Sequence, residues 1–177
     1  MKKFVFLFTI ILFMTSTSFS QSDWREELQK QLPLLGHRNW ILVVDAAYPL
    51  QSKPAIKTLA TGEDQLDVVN EVLAAVEKAP HVYPEIYLDK ELDFVPEGEA
   101  AGIDAYRENL YRILQGKNTT KVLHEELITD IDGAAKLFNI LVLKTNLTIP
   151  YTSVFIRLDC GYWNAEQEKK LRDLMEK

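Results

Sequence analysis

The chain has 177 residues and a formal net charge of −6; 47% of the residues are hydrophobic and 26% are charged. These proportions exclude a disordered acidic chain and a membrane-embedded bundle, and the negative charge argues against a nucleic-acid or anionic-membrane surface, because phosphate binding needs clustered cations. Cys160 is the single cysteine, which excludes an intramolecular disulfide and a cysteine-based metal site.

Residues 1–20 have the pattern of a secretory signal peptide. Lys2 and Lys3 precede an apolar run over residues 4–14, and small polar residues follow up to Ser20. The run is too short to span a membrane, so an uncleaved anchor is the less favoured alternative. We therefore expect cleavage after residue 20, export to the periplasm or the exterior of a bacterium, and no membrane span in the mature chain.

Apolar periodicity in the rest of the chain predicts alternating helices and strands. Residues 21–35 predict a helix that Pro33 and Gly36 limit, and the apolar run Trp40–Val44 predicts a strand buried on both faces. The proline-containing segment after Asp45 predicts a loop. Further helices are predicted at residues 65–78, 103–114 and 130–138, and further strands at residues 82–88, 121–123, 140–143 and 153–158.

The order of these elements predicts the fold class. Strands that alternate with helices favour an α/β fold, a three-layer sandwich with a mainly parallel sheet and helices on both faces. Asn164 predicts the cap of a last, charged helix that runs to Lys177. We assign residues 21–161 to one domain and residues 162–177 to a C-terminal helical extension.

Two polar residues flank the first predicted strand. His37 lies just before it and Asp45 just after it. Ligands of open α/β sheets bind beyond the carboxyl ends of the strands, which makes Asp45 a candidate; a turn cap is the alternative for Asp45, and a solvated loop position is the alternative for His37. Because five or six strand residues span roughly 17–20 Å, we do not expect the two side chains to meet within one chain. A loop before the strand that bends back and a meeting across a subunit boundary are the alternatives.

Two short patterns carry a resemblance to a known family. One is a Gly-His pair before a buried strand that ends in Asp-Ala, with a proline close behind; the other is a Tyr, one residue, a polar residue and an apolar strand that ends near a glycine. The chain has Gly36-His37, Asp45-Ala46, Pro49, Tyr151, Ser153 and Gly161 at these positions. Over residues 28–161 it thereby resembles the D-ribose pyranase and L-fucose mutarotase family.

The resemblance implies an isomerase that opens and closes the ring of a reducing monosaccharide without a metal or an organic cofactor. The anomeric hydroxyl must lose a proton and the ring oxygen must gain one. The resemblance makes His37 the main acid/base, Tyr151 a donor or proton shuttle, and Asp45 an acceptor for sugar hydroxyls; a histidine with a pKa near 6.5 suits this chemistry. It also implies a homo-oligomer, a pentamer or decamer, with active sites near subunit contacts.

Four positions depart from the family pattern, and one of them is Thr145-Asn146, which replaces a Thr-Gly element before the Tyr. Asn39 replaces an Asp two residues after the His, and Ser153 replaces an Asn two residues after the Tyr; we keep both as substrate-binding candidates. Thr129 replaces a basic residue, a role that Lys136 or Lys144 would have to fill. These changes keep a second function open, a non-catalytic exported sugar-binding or assembly protein on the same fold. A third alternative is a generic exported α/β domain whose resemblance is accidental.

The remaining histidines are not assigned to the site. His81 follows Pro80 at a helix exit and is expected to be a solvated cap. His124 is expected to end a strand beside Glu125 and Glu126. Adjacent strand residues point to opposite faces, so we do not favour a metal site there.

Overall fold

The computed structural model describes residues 23–176, so the predicted signal peptide at residues 1–20 lies outside the described residues. This part of the chain forms a sheet and five α-helices. The strands are β1 (Trp40–Val44), β2 (Ile56–Ala60), β3 (Val82–Asp89), β4 (Thr119–Val122), β5 (Ile140–Lys144) and β6 (Val154–Cys160). The helices are α1 (Trp24–Gln31), α2 (Gln65–Glu77), α3 (Ile103–Ile113), α4 (His124–Ala134) and α5 (Ala165–Met175).

The strands form one sheet in the order β2-β5-β1-β6-β3-β4. β6 is antiparallel to its neighbours β1 and β3, whereas the other neighbouring pairs are parallel. Five strands therefore end at one end of the sheet, which we call the carboxyl end, and β6 begins there. We call the opposite end the amino end. The predicted α/β fold with a mainly parallel sheet is confirmed.

β1 shows that the sheet is covered on both faces, as predicted. Each of its residues is at most 4% exposed. Ile41 and Val43 pack in a core cluster with α1, α2 and α3, whereas Leu42 and Val44 pack in a second cluster with α4. Successive strand residues point to opposite faces, so a continuous apolar run is what a strand between two helical layers requires.

β2 is missing from the predicted elements, which have a loop at this position. It is an edge strand, parallel to β5, and Ile56 is its one buried residue. An edge strand has a neighbour on one side and solvent on the other, so it needs no continuous apolar run. The apolar pattern that revealed β1 is therefore absent from β2.

The predictions for the segment around His124 are wrong. β4 ends at Val122 and α4 begins at His124, so His124 does not end a strand and the helix does not begin near Asp130. The carboxylate of Glu91 accepts hydrogen bonds from the backbone N–H of His124 at 3.1 and 3.2 Å and thereby caps α4. Because this cap comes from a residue distant in sequence, no local pattern marks the start of the helix.

The length of α1 and the start of α5, at the two ends of the described chain, also have simple local causes. α1 is shorter than predicted because a 3₁₀ turn, Leu32–Leu34, follows it and contains Pro33, which lacks a backbone N–H. At the other end Asn164 caps α5, as predicted, in a reciprocal capping box with Gln167. α5 buries no side chain. Across residues 23–176, no helix combines the length and the apolar character needed to cross a membrane.

Candidate functional site

The carboxyl end of the sheet brings together two predicted site residues, Asp45 after β1 and Ser153 before β6. The hydroxyl of Ser153, which is 2% exposed, donates to Oδ2 of Asp45 at 3.4 Å. Oδ1 of Asp45 accepts a hydrogen bond from the backbone N–H of Ala47 at 2.7 Å. Asp45 is thus a turn cap, and it is also a half-buried carboxylate at the end of the sheet where α/β proteins bind ligands.

Tyr151 lies two residues before Ser153, at the same end of the sheet. Its φ is 57°, in the left-handed region that residues other than glycine rarely adopt. Its hydroxyl has no hydrogen-bond partner in the described part of the chain, and the residue is 39% exposed. Backbone strain of this kind persists where surrounding structure enforces it, and it is common at ligand sites.

A buried polar network enforces the conformation of the segment that begins at Tyr151. Gln65, 0% exposed, donates through Nε2 to the carbonyl of Thr152 and accepts at Oε1 from the hydroxyl of Thr145 at 2.9 Å. The hydroxyl of Tyr106 donates to the same carbonyl at 2.7 Å. Burial raises the pKa of Tyr106 far above its ordinary value, so this hydroxyl remains a donor.

A carboxylate–imidazole pair beside Tyr151 was not predicted. Asp89 ends β3 with 0% exposure, and its Oδ1 lies 3.0 Å from Nδ1 of His124. The His124 ring packs edge-on against the Tyr151 ring, with centroids 5.6 Å apart and planes at 83°. Burial raises the pKa of Asp89 to about 6, although the hydrogen bond from His124 opposes the shift. The position of Asp89 after a predicted strand was the one sequence signal, and the wrong strand assignment of His124 concealed its partner.

A cavity of about 390 Å³ opens next to this pair. Its volume is in the range of small-molecule sites. Its wall is mostly apolar, with one lysine and one glutamate. The lining residues are Lys90, Glu91, Phe94, Val95, Leu123 and Tyr151.

A larger cavity, of about 670 Å³, lies between α1 and α2, and no predicted site residue lines it. His81 is part of its wall. Nε2 of His81 lies 3.1 and 3.2 Å from the carbonyl oxygens of Leu32 and Leu35, and the residue is half-buried. His81 is therefore not the solvated cap that we expected. Its side chain joins the turn before β3 to the 3₁₀ turn after α1.

His37 lies at the amino end of the sheet, away from Tyr151 and Asp45. The backbone N–H of the next residue, Arg38, bonds to the carbonyl of Leu158 at 2.8 Å, which places this turn beside the last part of β6. β1 lies between His37 and Asp45, and five strand residues span roughly 17 Å. One copy of the chain therefore does not bring His37 to Tyr151.

His37 has a carboxylate partner that the sequence analysis missed. Its Nδ1 lies 2.5 Å from Oδ1 of Asp159, and the two side chains are 53% and 38% exposed. A carboxylate at Nδ1 fixes the tautomer of the ring and leaves Nε2 for proton exchange. The partners are 122 positions apart, so no local spacing links them.

The side chain of Asn39 joins its own turn to the residue before β5. Its side-chain oxygen accepts from the backbone N–H of Gly36 at 2.8 Å, and its amide donates to the carbonyl of Asn139 at 3.1 Å. In this chain Asn39 therefore stabilises the turn that carries His37. A contact from Asn39 to a ligand would use the second N–H of its amide or the second lone pair of its oxygen, which these two hydrogen bonds do not use.

Thr129, which occupies the position of the family's basic residue, lies on the exposed side of α4. Its hydroxyl donates to the carbonyl of Glu125 at 2.8 Å. Of the two lysines considered as replacements, Lys144 ends β5 at the carboxyl end of the sheet and donates to the carbonyl of Tyr48 at 2.7 Å. Lys136 lies beyond the end of α4. Within residues 23–176 no group of three or more His, Cys, Asp or Glu side chains is arranged to hold a metal ion.

The comparison with models of protein families identifies one family. The model of the RbsD / FucU transport protein family matches residues 24–160. RbsD from Bacillus subtilis, solved in complex with D-ribose, is 17% identical with a TM-score of 0.55 and covers 78% of this chain and 93% of its own. The fucose mutarotase from Streptococcus pneumoniae, solved in complex with L-fucose, is 17% identical with a TM-score of 0.51. The match covers 79% of this chain and 96% of the mutarotase chain. The two structures establish the shared fold. No curated protein sequence matches the chain.

Proposed function

Because the chain belongs to the RbsD / FucU transport protein family, we propose that it is a cofactor-independent monosaccharide mutarotase or pyranase, an isomerase of reducing sugars. The observation that carries the proposal is the convergence of Asp45 with Ser153, 108 positions later, and with Tyr151 at the carboxyl end of the sheet. The ribose and fucose in the two similar structures support a monosaccharide as the substrate class.

The proposed reaction moves two protons. A base removes the proton of the anomeric hydroxyl, its electron pair forms the C1 carbonyl, and the bond between C1 and the ring oxygen breaks as an acid protonates that oxygen. Closure on the other face of C1, or through another hydroxyl, returns both protons. His37 is the main acid/base and Tyr151 the donor or proton shuttle, and each such group contributes about 10²–10⁴ in rate. Asp45 and Ser153 bind sugar hydroxyls.

We place each site between two copies of the chain, with His37 from one copy and Tyr151 from the next. Their location at opposite ends of the sheet and the exposure of His37 support this arrangement. A contact that joins different surfaces of two identical copies closes into a ring when the rotation allows it. We therefore propose a homo-oligomeric ring, a pentamer or decamer, whose mass light scattering measures directly.

The first test is anomer exchange, measured by saturation-transfer NMR with ribose, fucose, galactose and glucose. The protein begins at Gln21, and His37→Ala and Tyr151→Phe are measured beside it. We expect wild-type protein to accelerate exchange of at least one sugar and each variant to lose the acceleration. Folded wild-type protein that accelerates none of the four would overturn the proposal.

A second test asks whether the site is shared. His37→Ala and Tyr151→Phe are refolded together, so that the two variants assemble at random. In a ring with shared sites, about a quarter of the contacts regain both native residues, and we expect about that fraction of the wild-type rate. Each variant refolded alone is the control. A mixture that stays as inactive as its components would show that both residues act within one copy.

We also propose that the chain acts outside the cytoplasm, on sugars released there. The support is the signal-peptide pattern of residues 1–20. N-terminal sequencing of protein from the periplasmic fraction of the native bacterium is the test. We expect a mature chain that begins at Gln21; an intact N-terminus in the cytoplasmic fraction would overturn this part of the proposal.

A second candidate function is sugar binding without catalysis. It is favoured by Thr129, which occupies an exposed helical position, and by Asn39, whose side chain bonds to the backbone of Gly36 and Asn139. This function predicts that a sugar binds with the same affinity to wild type and His37→Ala, and that neither accelerates exchange. Calorimetry with the same four sugars distinguishes it from the enzyme.

A further inference from the structure

We propose that the chain has a second carbohydrate site, at the amino end of the sheet, which binds an uncharged sugar ring, free or within an oligosaccharide. The site is a cavity of about 460 Å³ whose wall includes Tyr83 of β3, Asp159 of β6 and Trp163 before α5; we call it the tail cavity. Its volume is in the range of small-molecule sites. Binding there is separate from the ring opening proposed above and does not depend on it.

One wall of the tail cavity is an exposed part of the sheet. Tyr83 and Tyr87 lie on the same face of β3, because they are four residues apart on a strand. Tyr87 and its partner on β6, Phe155, pack with the cluster that includes α4, and Phe155 is fully buried. Tyr83 lies outside that cluster, is 49% exposed and pairs with Asp159 on β6. Paired residues point to the same face, so the sheet presents an aromatic ring and a carboxylate to the cavity.

Trp163 gives the tail cavity a second aromatic wall, and its position is fixed. The indole is 41% exposed, and its Nε1 donates to Oε2 of Glu168 at 2.9 Å. The loop before it packs directly on the turn before β3. The backbone N–H of Gly161 donates to the carbonyl of His81 at 3.1 Å, and a Cβ added to Gly161 would lie 2.7 Å from the carbonyl oxygen of Pro80. Rings that are held in place before a ligand arrives lose little freedom on binding.

Polar groups in the wall of the tail cavity are available to a ligand. Asn164 and Gln167 use their side-chain oxygens in the capping box of α5, and their amide N–H groups have no partner in the described chain. Asp159 holds His37 with Oδ1, whereas its Oδ2 and the hydroxyl of Tyr83 have no hydrogen-bond partner within residues 23–176. Donors and acceptors around aromatic rings match a sugar, whose ring has an apolar face and a rim of hydroxyls.

The charges in the wall select against an anionic ligand. Glu85 and Asp159 are its charged residues, and none of the described lysines or arginines lines it. Glu85 already pairs with Arg157 at 2.5 Å, outside the cavity wall. A uronate or a phosphate would therefore meet carboxylates and no cation that could bind it. An uncharged sugar is the ligand that fits the aromatic rings, the amide groups and the charges together.

The test begins with titrations of the protein that starts at Gln21. The probes are maltohexaose, cellohexaose and xylohexaose, the methyl glucosides and methyl xylosides as single rings, and hexagalacturonate as the charged probe. Methyl glycosides have no free anomeric hydroxyl, so their binding is independent of ring opening. Tryptophan fluorescence reports on the tail cavity, because Trp163 is exposed whereas Trp24 and Trp40 are buried. We expect a saturable change with at least one uncharged probe and none with hexagalacturonate.

The probes also identify the form of the ligand. A response to a methyl glycoside would show that a single ring suffices, and a response to hexaoses alone would show that the ligand is an oligosaccharide; both support the site. A response to hexagalacturonate alone, or to no probe, would overturn it.

Variants locate the binding. Calorimetry measures the affinity of the best probe for Trp163→Ala, Trp163→Phe and Tyr83→Ala, with Leu34→Ala as a control at an exposed apolar position elsewhere. We expect each alanine variant of an aromatic residue to weaken binding by about 10-fold or more, because the stacked ring is lost. Trp163→Phe keeps a ring and should retain most of the affinity, and Leu34→Ala should match wild type. Wild-type affinity in both Trp163→Ala and Tyr83→Ala would overturn the site.

Two further measurements on the same samples separate this site from the rest of the molecule. Anomer exchange by wild-type protein that binds no uncharged probe would overturn the tail cavity alone, and probe binding without exchange would overturn the mutarotase function alone. Light scattering tests whether the cavity is instead a contact between copies. A lower assembly mass for Trp163→Ala, in protein that binds no probe, would assign the cavity to that contact and overturn the proposal.

Discussion

Nδ1 of His37 and Oδ1 of Asp159 lie 2.5 Å apart, a contact that joins the turn before β1 to the last part of β6. The family pattern has an aspartate two residues after this histidine, and the chain has Asn39 there. Asp159 returns a negative charge to the imidazole from another strand. The sequence alone suggests that the negative charge beside His37 is lost, but in the folded chain Asp159 supplies it.

Replacing Asp159 by asparagine tests this contact. Asn keeps an acceptor for Nδ1 but removes the negative charge beside the imidazole, so we expect Asp159→Asn to lower the rate of anomer exchange by about 10-fold or more. Saturation-transfer NMR measures the rate, and light scattering confirms that assembly is unchanged. Asp130→Asn, an exposed carboxylate on α4, is the control. An equal loss in both variants would assign the effect to net charge.

Tyr151→Phe separates the hydroxyl of this residue from its ring. The ring contact with His124 remains, and the hydroxyl has no partner in the described structure, so we expect the free energy of unfolding to change by less than about 1 kcal/mol. The saturating exchange rate should fall by about 100-fold. Urea denaturation and NMR measure the two quantities. Tyr162→Phe, at a 73% exposed position, should change neither. A Tyr151 variant with full activity would remove it from the proton path.

Gln65→Leu tests the network beneath the segment that begins at Tyr151. The change leaves the hydroxyl of Thr145 and the carbonyl of Thr152 each with one fewer partner in a buried place, so we expect a loss of about 1–3 kcal/mol in the free energy of unfolding. Sugar affinity should weaken as well, because the strained backbone of Tyr151 loses support. Urea denaturation and calorimetry are the measurements. Asn70→Leu, exposed on the same helix, should leave both unchanged.

The raised pKa of Asp89 predicts a pH dependence of stability. The folded protein holds this proton up to about pH 6, whereas the ordinary pKa of an aspartate, 3.8, applies to the unfolded chain. Between these values the folded state binds more protons, so this group makes the free energy of unfolding fall as pH rises, by up to about 3 kcal/mol. Asp89→Asn removes this pH-dependent contribution to the free energy of unfolding.

The difference between Asp89→Asn and wild type should therefore grow in favour of the variant from about pH 4 to about pH 6 and stay constant above that range. Urea denaturation at pH 4, 5, 6 and 7 measures it. A flat difference for Asp89→Asn would mean that the carboxylate has an ordinary pKa in the fold.

The fold was largely predictable because buried strands and half-buried helices have characteristic patterns of apolar residues in the sequence. β1 is a continuous apolar run and α2 carries an apolar stripe, so their positions follow from residue types alone. β2 and α4 were not predictable in this way. β2 lies at the sheet edge, and the first residue of α4 is capped by Glu91, 33 positions earlier.

The candidate site was predictable to the extent that its residues lie next to recognisable strands. Asp45 follows β1 and Ser153 precedes β6, but their contact depends on the position of β6 beside β1 in the sheet. The partners Asp159 and Asp89 were missed for the same reason. Each lies on a strand far in sequence from the histidine that it holds, and a single sequence contains no signal for such a pairing.

The direction of β6 has a consequence for the C-terminal segment. Since β6 runs against the other strands, the chain leaves the sheet at the amino end, where His37 lies, and α5 begins there. A cavity of about 460 Å³ has Asp159, Tyr162 and Trp163 together in its wall. Tyr162 and Trp163, beyond the family match at residues 24–160, thus border the surface that presents His37. In the ring that we propose, a second copy that approaches His37 must also accommodate α5. Changes in this tail would then alter which copies associate while every residue at the carboxyl end stays the same.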